Sequence, residues 1–347
     1  MNEKALPVLE QYDYEFNSQK RVRGTYCCES NKGLMLLKEY ENSQGRIRIV
    51  ETIQRHIYDS GMDVDLVVKN KDGELISVGP EGGSYILKKW FDYRDCECDN
   101  MRDVMGSLTV MSQFHAICRD MREYLNSQQI YLNDEISMEE ESKDNSDDCI
   151  KKCRLLSPDD IKGTLDRHNR ELVRVQRFLG KKKKKTQFEY DLERCIDRNY
   201  QKAAELSGQI TYEESEQLRK RATERMSICH GNCRYHNFII VEGRPVLINY
   251  IKVKVDNQID DLYSFMKKII EKNNYKPGLA EEMLRQYEKN NPLDATEEKA
   301  LRVLVNYPHR MWKVANNYFN SSKSGYSLKN QEKLSKYISM EEKIAFP

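Results

Sequence analysis

The sequence predicts an α+β protein of two lobes, a small antiparallel β-sheet first and a larger, mainly helical part after it. Three observations carry this. Up to about residue 90 the chain is cut into short β-rich runs by turn signals, with one helix-period segment among them. From residue 100 onward, apolar residues recur mostly three and four apart, the spacing of helices packed on one face. Embedded in that helical part is a stretch of different character, residues 228–250, ICHGNCRYHNFIIVEGRPVLINY, which reads as a β-hairpin with polar clusters at its open end. We therefore place a sheet-bearing lobe of five strands and one helix at residues 1–90, and a helical lobe at 91–347.

In the first lobe, residues 6–11 form a short lead-in helix. Residues 21–29 alternate and carry β-formers, Asn31-Lys32-Gly33 turns the chain, and residues 34–40 return as the second arm of a hairpin. A helix over 45–60 follows, with Ile49, Ile53 and Ile57 on one face and Gly61 as its stop. Residues 63–68 and 74–78 are short strands joined by Asn70-Lys71-Asp72-Gly73, and 85–91, YILKKWF, is the fifth strand. It leads into the hinge between the lobes at residues 89–93, which begins with Lys89.

In the second lobe a long helix is expected over 100–125, with Met101, Val104, Met105, Leu108 and Met111 as core and His115 as a structural residue ending the stripe. Residues 134–148 are acidic and aperiodic; with the basic residues that follow they read as a variable acidic surface loop, 134–154. Helices over 158–179, 188–206 and 211–226 come next, and the five lysines 181–185 form a solvated turn between the first two. After the hairpin, Asp260-Asp261 opens another helix, where acids suit the free N–H groups and dipole of a helix start. Four further helices lie at 279–288, 295–306, 308–319 and 329–343.

Composition narrows the function classes. The 347 residues are 39% hydrophobic and 33% charged, with a net charge of +1, so no global field favours nucleic acid or an anionic membrane surface. No apolar run is long enough for a membrane span, and the opening MNEKALPVLEQ lacks the basic and apolar segments of a secretory signal; a cytoplasmic origin is the expectation. None of the ten cysteines forms a Cys-x-x-Cys pair, so they are expected as reduced, inert thiols. A metal quartet can be drawn through Cys229, His230, Cys233 and His236, but the same residues fit another pattern better.

His230, Gly231, Asn232 and Asn237 precede the first hairpin strand and Asn249 follows the second, so strand pairing brings them to one end. This spacing resembles the catalytic loop of the aminoglycoside phosphotransferase and choline kinase group, relatives of protein kinases that carry His-Gly-Asp-x-x-x-x-Asn. In that group the motif Asp takes the proton from the substrate hydroxyl and the later Asn holds Mg²⁺. An Asp after the following strand binds the same ion, which grips the ATP phosphates. His230, Gly231 and Asn237 match; Asn232 stands at the base position and Asn249 at the second metal position.

The resemblance implies further roles. Lys38, in LMLLKEY, would contact the ATP phosphates and Glu51 would pair with it. The hinge at Lys89 would border the nucleotide, and Asp261 would brace the catalytic loop from behind. Taken on the residues alone, Lys38 reads first as a charge on the solvent face of a strand, and only the downstream motif sets the ATP role level with it; Glu51 is equally one of many exposed helix acids, and no Gly-x-Gly-x-x-Gly marks a phosphate cradle.

The tail is more specific. DLYSFMKKIIEKNNY, NPL and NYPHRMWKVANNYFNSSKSGYSLKNQEKL, together with LLKEYENS, YILKKWF and QFEYD upstream, resemble the CotS-type spore coat protein family of spore-forming Firmicutes. That resemblance implies the same two-lobed fold, a place in the spore coat after synthesis in the mother-cell cytoplasm, and other coat proteins as partners. The amides bear on chemistry. Asn232 cannot act as a general base, a contribution usually worth about 10²–10⁴-fold. With Asn237 and Asn249 both neutral, ATP and Mg²⁺ binding is weakened and a pseudokinase is expected. The alternative is an active phosphotransferase on a small hydroxylated molecule or a coat protein.

Overall fold

The computed structural model describes residues 3–22, 24–130, 158–320, 328–339 and 345–346. The acidic segment 134–154 lies outside the described residues. The first lobe holds β1 (Phe16–Val22), β2 (Thr25–Ser30), β3 (Gly33–Glu39), β4 (Val67–Val68), β5 (Ser77–Val78) and β6 (Ser84–Lys89). They form one antiparallel sheet in the order β1-β2-β3-β6-β4, with β5 also on β6. The sheet thus has six strands, not five. The run expected as one strand at 21–29 is divided: the chain reverses at Gly24, whose φ of +83° suits a residue without a Cβ, and Arg21 pairs back onto Tyr26.

The two faces of this sheet meet different neighbours. Met35, Leu37 and Leu87 pack with Val8 of the N-terminal 3-10 helix, Glu3–Gln11, and with Tyr12 just after it. The opposite face carries Val67 and Ile86 against helix α1 (Gln44–Asp59), whose buried residues Val50, Ile53, Gln54 and Ile57 follow a helical stripe. Ser43 caps α1 by accepting the Arg46 N–H.

The second lobe is helical: α2 (Met101–Ile117), α3 (Arg122–Ser127), α4 (Ile161–Lys181), α5 (Gln187–Gly208), α6 (Tyr212–Arg225), α7 (Ile259–Lys272), α8 (Leu279–Glu288), α9 (Ala295–Asn306), α10 (His309–Asn320) and α11 (Leu328–Ile338). The helix expected over 100–125 is two helices. The Cys118 carbonyl accepts the Ile228 N–H at 2.9 Å, and the Met121 N–H donates to Arg225 at 2.9 Å, so the chain between them serves the loop strand rather than the helix. Thr186 with Glu189 and Thr211 with Glu214 make reciprocal caps at the starts of α5 and α6. The lysine run ends as a turn held by ion pairs, Lys182 to Glu189 and Lys185 to Glu193 at 2.7 Å.

The hairpin is β9 (Phe238–Val241) and β10 (Arg244–Leu247), turned by Glu242 and Gly243, both at positive φ. That two-residue turn matches strand twist, and Pro245 is tolerated because β10 is an edge strand. β7 (Arg94–Asp95) completes a three-stranded sheet on β9, while β8 (Ile228–Cys229) pairs with β11 (Lys254–Val255). One apolar cluster runs from α1 through α2, α7 and α8, and Phe238 and Leu247 anchor the hairpin in it. Among the described residues, no helix is long and apolar enough to cross a membrane.

Candidate active site

The loop between β8 and β9 is held from behind by a buried carboxylate. Asp261, in the first turn of α7, accepts the backbone N–H of His230 at 2.5 Å and of Gly231 at 3.1 Å. Its Oδ2 also lies 3.3 Å from His115 Nε2, and His115 Nδ1 is 2.7 Å from the Tyr287 hydroxyl. Burial alone would raise the Asp261 carboxyl, but His115, His230 and the donated N–H groups outweigh it and hold the pKa below its usual value. Gly231 sits at φ +71°, and a Cβ there would come within 2.2 Å of the Lys252 carbonyl. Only glycine lets the two backbones approach so closely.

His230 is fully buried. Its Nε2 donates to the Ile248 carbonyl at 3.0 Å, and burial, opposed by Asp261, lowers its pKa. It orients the loop and does not reach outward. Cys229 and Cys233 are buried and their thiols pushed well up, while His236 is exposed. Among the described residues the only grouping with metal-ligand proximity lies elsewhere: Asp159, Asp256 and Asp260, whose centre is taken by the Lys254 ammonium.

The three asparagines meet. Asn237 Nδ2 donates to the Asn232 carbonyl at 2.7 Å, fixing the loop on itself. Asn249 Nδ2 donates to Asn237 Oδ1 at 3.1 Å, so the two positions expected to hold an ion bond to each other. Asn249 sits in left-handed backbone (φ 70°, ψ 54°), and its N–H donates to Asp65 Oδ2 at 3.0 Å.

Asp65 was not among the expected site residues. It is fully buried and paired with the ammonium of Lys88, itself nearly buried. Gln54 of α1 completes the arrangement, donating to the Asp65 carbonyl at 2.9 Å and to its Oδ1 at 3.1 Å while accepting the Val67 N–H. Lys38 stands on the same sheet face, since it pairs with Ile86, two residues from Lys88. Burial and repulsion by Lys88 lower its pKa, with Asp65 pulling the other way.

Two expected contacts are replaced. Glu51 does not meet Lys38; it pairs with Arg55 at 2.7 Å along α1. The buried stripe of that helix passes through Val50 and Gln54, so Gln54 faces the sheet and Glu51 is turned about 100° from Val50. Lys89 does not face the cleft either. Strand alternation points its ammonium to the ring of Tyr58, 4.5 Å away, and sends Lys88 inward. A second tie joins the lobes: Arg46 donates to the Ile251 carbonyl at 2.6 and 2.9 Å and to the Val253 carbonyl at 2.6 Å.

The donors present do not fit a Mg²⁺–ATP site. Mg²⁺ favours charged oxygens, whereas Asn237 and Asn249 offer neutral amides that bond to each other, and Asp65, which accepts the Asn249 N–H, is committed to Lys88 and Gln54 as well.

The fold is that of the aminoglycoside phosphotransferases. A solved aminoglycoside phosphotransferase from Alicyclobacillus acidocaldarius superposes with a TM-score of 0.75 at 16% identity, covering 97% of this chain and 92% of that one. An amicoumacin kinase solved with AMP-PNP, Ca²⁺ and Ami gives a TM-score of 0.51 at 12% identity over 99% and 93% of the two chains. A spectinomycin phosphotransferase solved with ADP and spectinomycin gives 0.50 at 12% identity over 97% and 92%. No family model and no curated protein matches the sequence. At such identities the likeness speaks for architecture alone.

Proposed function

We propose that this chain uses a phosphotransferase-like fold as a binding and assembly module, with phosphoryl transfer lost, and that it works in the spore coat alongside other coat proteins. The observation that carries the loss of transfer is the amide pair: Asn249 Nδ2 on Asn237 Oδ1 at 3.1 Å. Two neutral side chains satisfy each other where ATP-bound Mg²⁺ needs free anionic oxygens. Asn232 adds to this, because an amide cannot accept the substrate proton. The coat assignment rests on the sequence stretches that resemble the CotS-type family, chiefly the tail from Asn306 to Leu334.

The second reading, ATP-dependent transfer to a small hydroxylated molecule or a coat protein, draws on Lys38, a cation of lowered pKa on the cleft face, and on the phosphotransferase names of the solved neighbours. Melting with ATP, with and without Mg²⁺, separates the two. A ligand at 100 times its Kd adds about 2.7 kcal/mol, so an intact metal–nucleotide site gives a clear Mg²⁺-dependent rise in Tm. The native chain is expected to show none. The double variant Asn232→Asp, Asn249→Asp is expected to gain one, with measurable ATP hydrolysis. ATP turnover by the native chain that Lys38→Ala abolishes would establish the second reading.

A further inference from the structure

Beside the catalytic-type loop the molecule has a second concavity whose charge is unlike the rest of the chain. Residues 234–236 of the loop form one wall, α7 the floor and α10 the other wall of a cavity of about 440 Å³. That volume falls among small-molecule sites. Five basic side chains line it: Arg234 from the loop, Lys267 and Lys268 from α7, and Arg310 and Lys313 from α10. They face one carboxylate, Glu271, which Arg310 already approaches at 3.8 Å. Arg234, Lys268 and Lys313 have no acidic partner among the described residues. The cavity histidines do not change the balance: burial lowers the pKa of His236 and pushes that of His309 far down. In a chain whose net charge is only +1, this excess of cations in one concave place is local and uncompensated.

We infer that this cavity binds a small molecule bearing two or more anionic groups, phosphate or carboxylate, held between the loop at Arg234 and the facing cations of α7 and α10. The inference goes beyond the function proposed above and holds whether or not the cleft admits ATP. Arginine and lysine at spread positions suit several anionic oxygens at once, and the rings of Tyr235 and Tyr263 supply apolar walls.

Lys267 gives the site a second signature. Its Nζ donates to the Tyr307 carbonyl at 3.0 Å and lies 5.5 Å from the Tyr263 ring centre. Burial lowers its pKa to about 7; Glu271 raises it, and Arg310 with Lys202 of α5 lowers it. His309 also faces it from α10, in neutral form. An anion placed in the cavity would favour the charged ammonium, so binding above pH 7 would take up a proton.

The test is titration calorimetry on the full chain with citrate, glucose 6-phosphate and, as the neutral control, glucose, at low salt and again at high salt. At least one anion is expected to bind, more weakly at high salt, while glucose does not. Citrate alone identifies a polycarboxylate site, glucose 6-phosphate alone a phosphate site, and both the shared chemistry. The double variant Lys268→Ala, Lys313→Ala, on exposed positions that fold does not depend on, should weaken binding about tenfold, the loss of two modest ionic contacts. Lys38→Ala, in the cleft, should leave it unchanged. At pH 8, buffers of differing ionisation heat should report proton uptake that Lys267→Met removes. Absence of binding by both anions overturns the inference, as does equal binding of glucose. Binding that Lys38→Ala abolishes and the cavity variants leave intact overturns it as well. These outcomes are independent of the ATP melting result, which concerns the cleft.

Discussion

Replacing Lys88 by methionine should damage the protein well beyond what a single lysine usually contributes. The pair Lys88–Asp65 is buried, with side-chain exposures of 6% and 0%. Lys88→Met keeps the length of the side chain and removes its charge, leaving the Asp65 carboxylate in the interior. Breaking a buried ion pair from one side costs about 3–5 kcal/mol, because the surviving charge is uncompensated. Here Asp65 keeps two donors, Gln54 Nε2 at 3.1 Å and the Asn249 N–H at 3.0 Å, so the loss belongs at the lower end, about 3 kcal/mol. Asp65→Asn should be similarly costly, since it strands the ammonium. In the double variant neither charge is left, and the sum of the single losses should exceed the double loss by at least about 2 kcal/mol.

The assay is urea unfolding followed by circular dichroism, with hydrogen exchange at residues 249–253 as a local readout. Asp65 belongs to the sheet lobe and Asn249 to the loop, so Lys88→Met should raise exchange there. Additive losses, within about 0.5 kcal/mol, would refute the reasoning: the two groups would then be independent charges rather than one unit that closes the cleft.

Three other outcomes follow, two from the same loop and one from the helical lobe. Gly231→Ala should cost about 2 kcal/mol or more in unfolding free energy, because an L side chain at φ +71° is strained and its Cβ would press on the Lys252 carbonyl; a fall in the urea midpoint checks it. Asp261→Asn should cost about 1–3 kcal/mol, since one amide oxygen cannot serve both the His230 and Gly231 N–H groups, and exchange at those two amides should rise. His168 is stacked on Trp312 at 3.6 Å, and burial lowers its pKa to about 4. The unfolded chain therefore takes up this proton first as pH falls from about 6.5, the ordinary histidine value, and stability declines until about pH 4. The full effect is at most about 3 kcal/mol, and His168→Phe should flatten that part of the stability profile measured by Trp fluorescence.

Local pattern and tertiary placement contributed differently to what could be read in advance. The hairpin at β9 and β10 is legible because β-rich runs flank Glu242-Gly243, and a two-residue turn needs little else. The loop positions 230, 232, 237 and 249 are legible for the same reason, as strand pairing carries them to one end. The extra strand β1 was missed because its middle, Asn17 to Arg21, is polar and exposed, without an apolar alternation to show it. Glu51 and Lys89 fail differently. Each lies one residue beyond the position that faces inward, Val50 on α1 and Lys88 on β6, and both elements were anticipated. Which side of an amphipathic element meets the core is decided by packing, and a carboxylate or an ammonium is readily displaced by a neighbouring glutamine or lysine. Asp65 gave no signal at all: it precedes a two-residue strand, and its partners are 11, 23 and 184 residues distant in sequence.

These distances are compatible with a fold that persists if transfer is lost, as proposed above. The loop backbone is fixed by Asp261 through two N–H groups and by Asn237 through the Asn232 carbonyl, and none of these bonds uses an Asp at 232 or 249. The sheet lobe is tied to the loop by Asp65 on the Asn249 N–H and by Arg46 on two carbonyls, contacts made to backbone atoms that any side chain would present. Architecture is therefore carried by residues that do not carry transfer. On the proposed reading, asparagine at 232 and 249 costs the fold little, and the amide of Asn249 even supplies a hydrogen bond to Asn237. A carboxylate placed at 249 loses that bond and adds a negative charge to a residue whose N–H already meets Asp65. On this account Asn249→Asp alone should melt below the native chain without Mg²⁺ and recover only when Mg²⁺ and ATP are both present. Equal melting of the two proteins under all conditions would mean that the amide pair contributes nothing to closing the site.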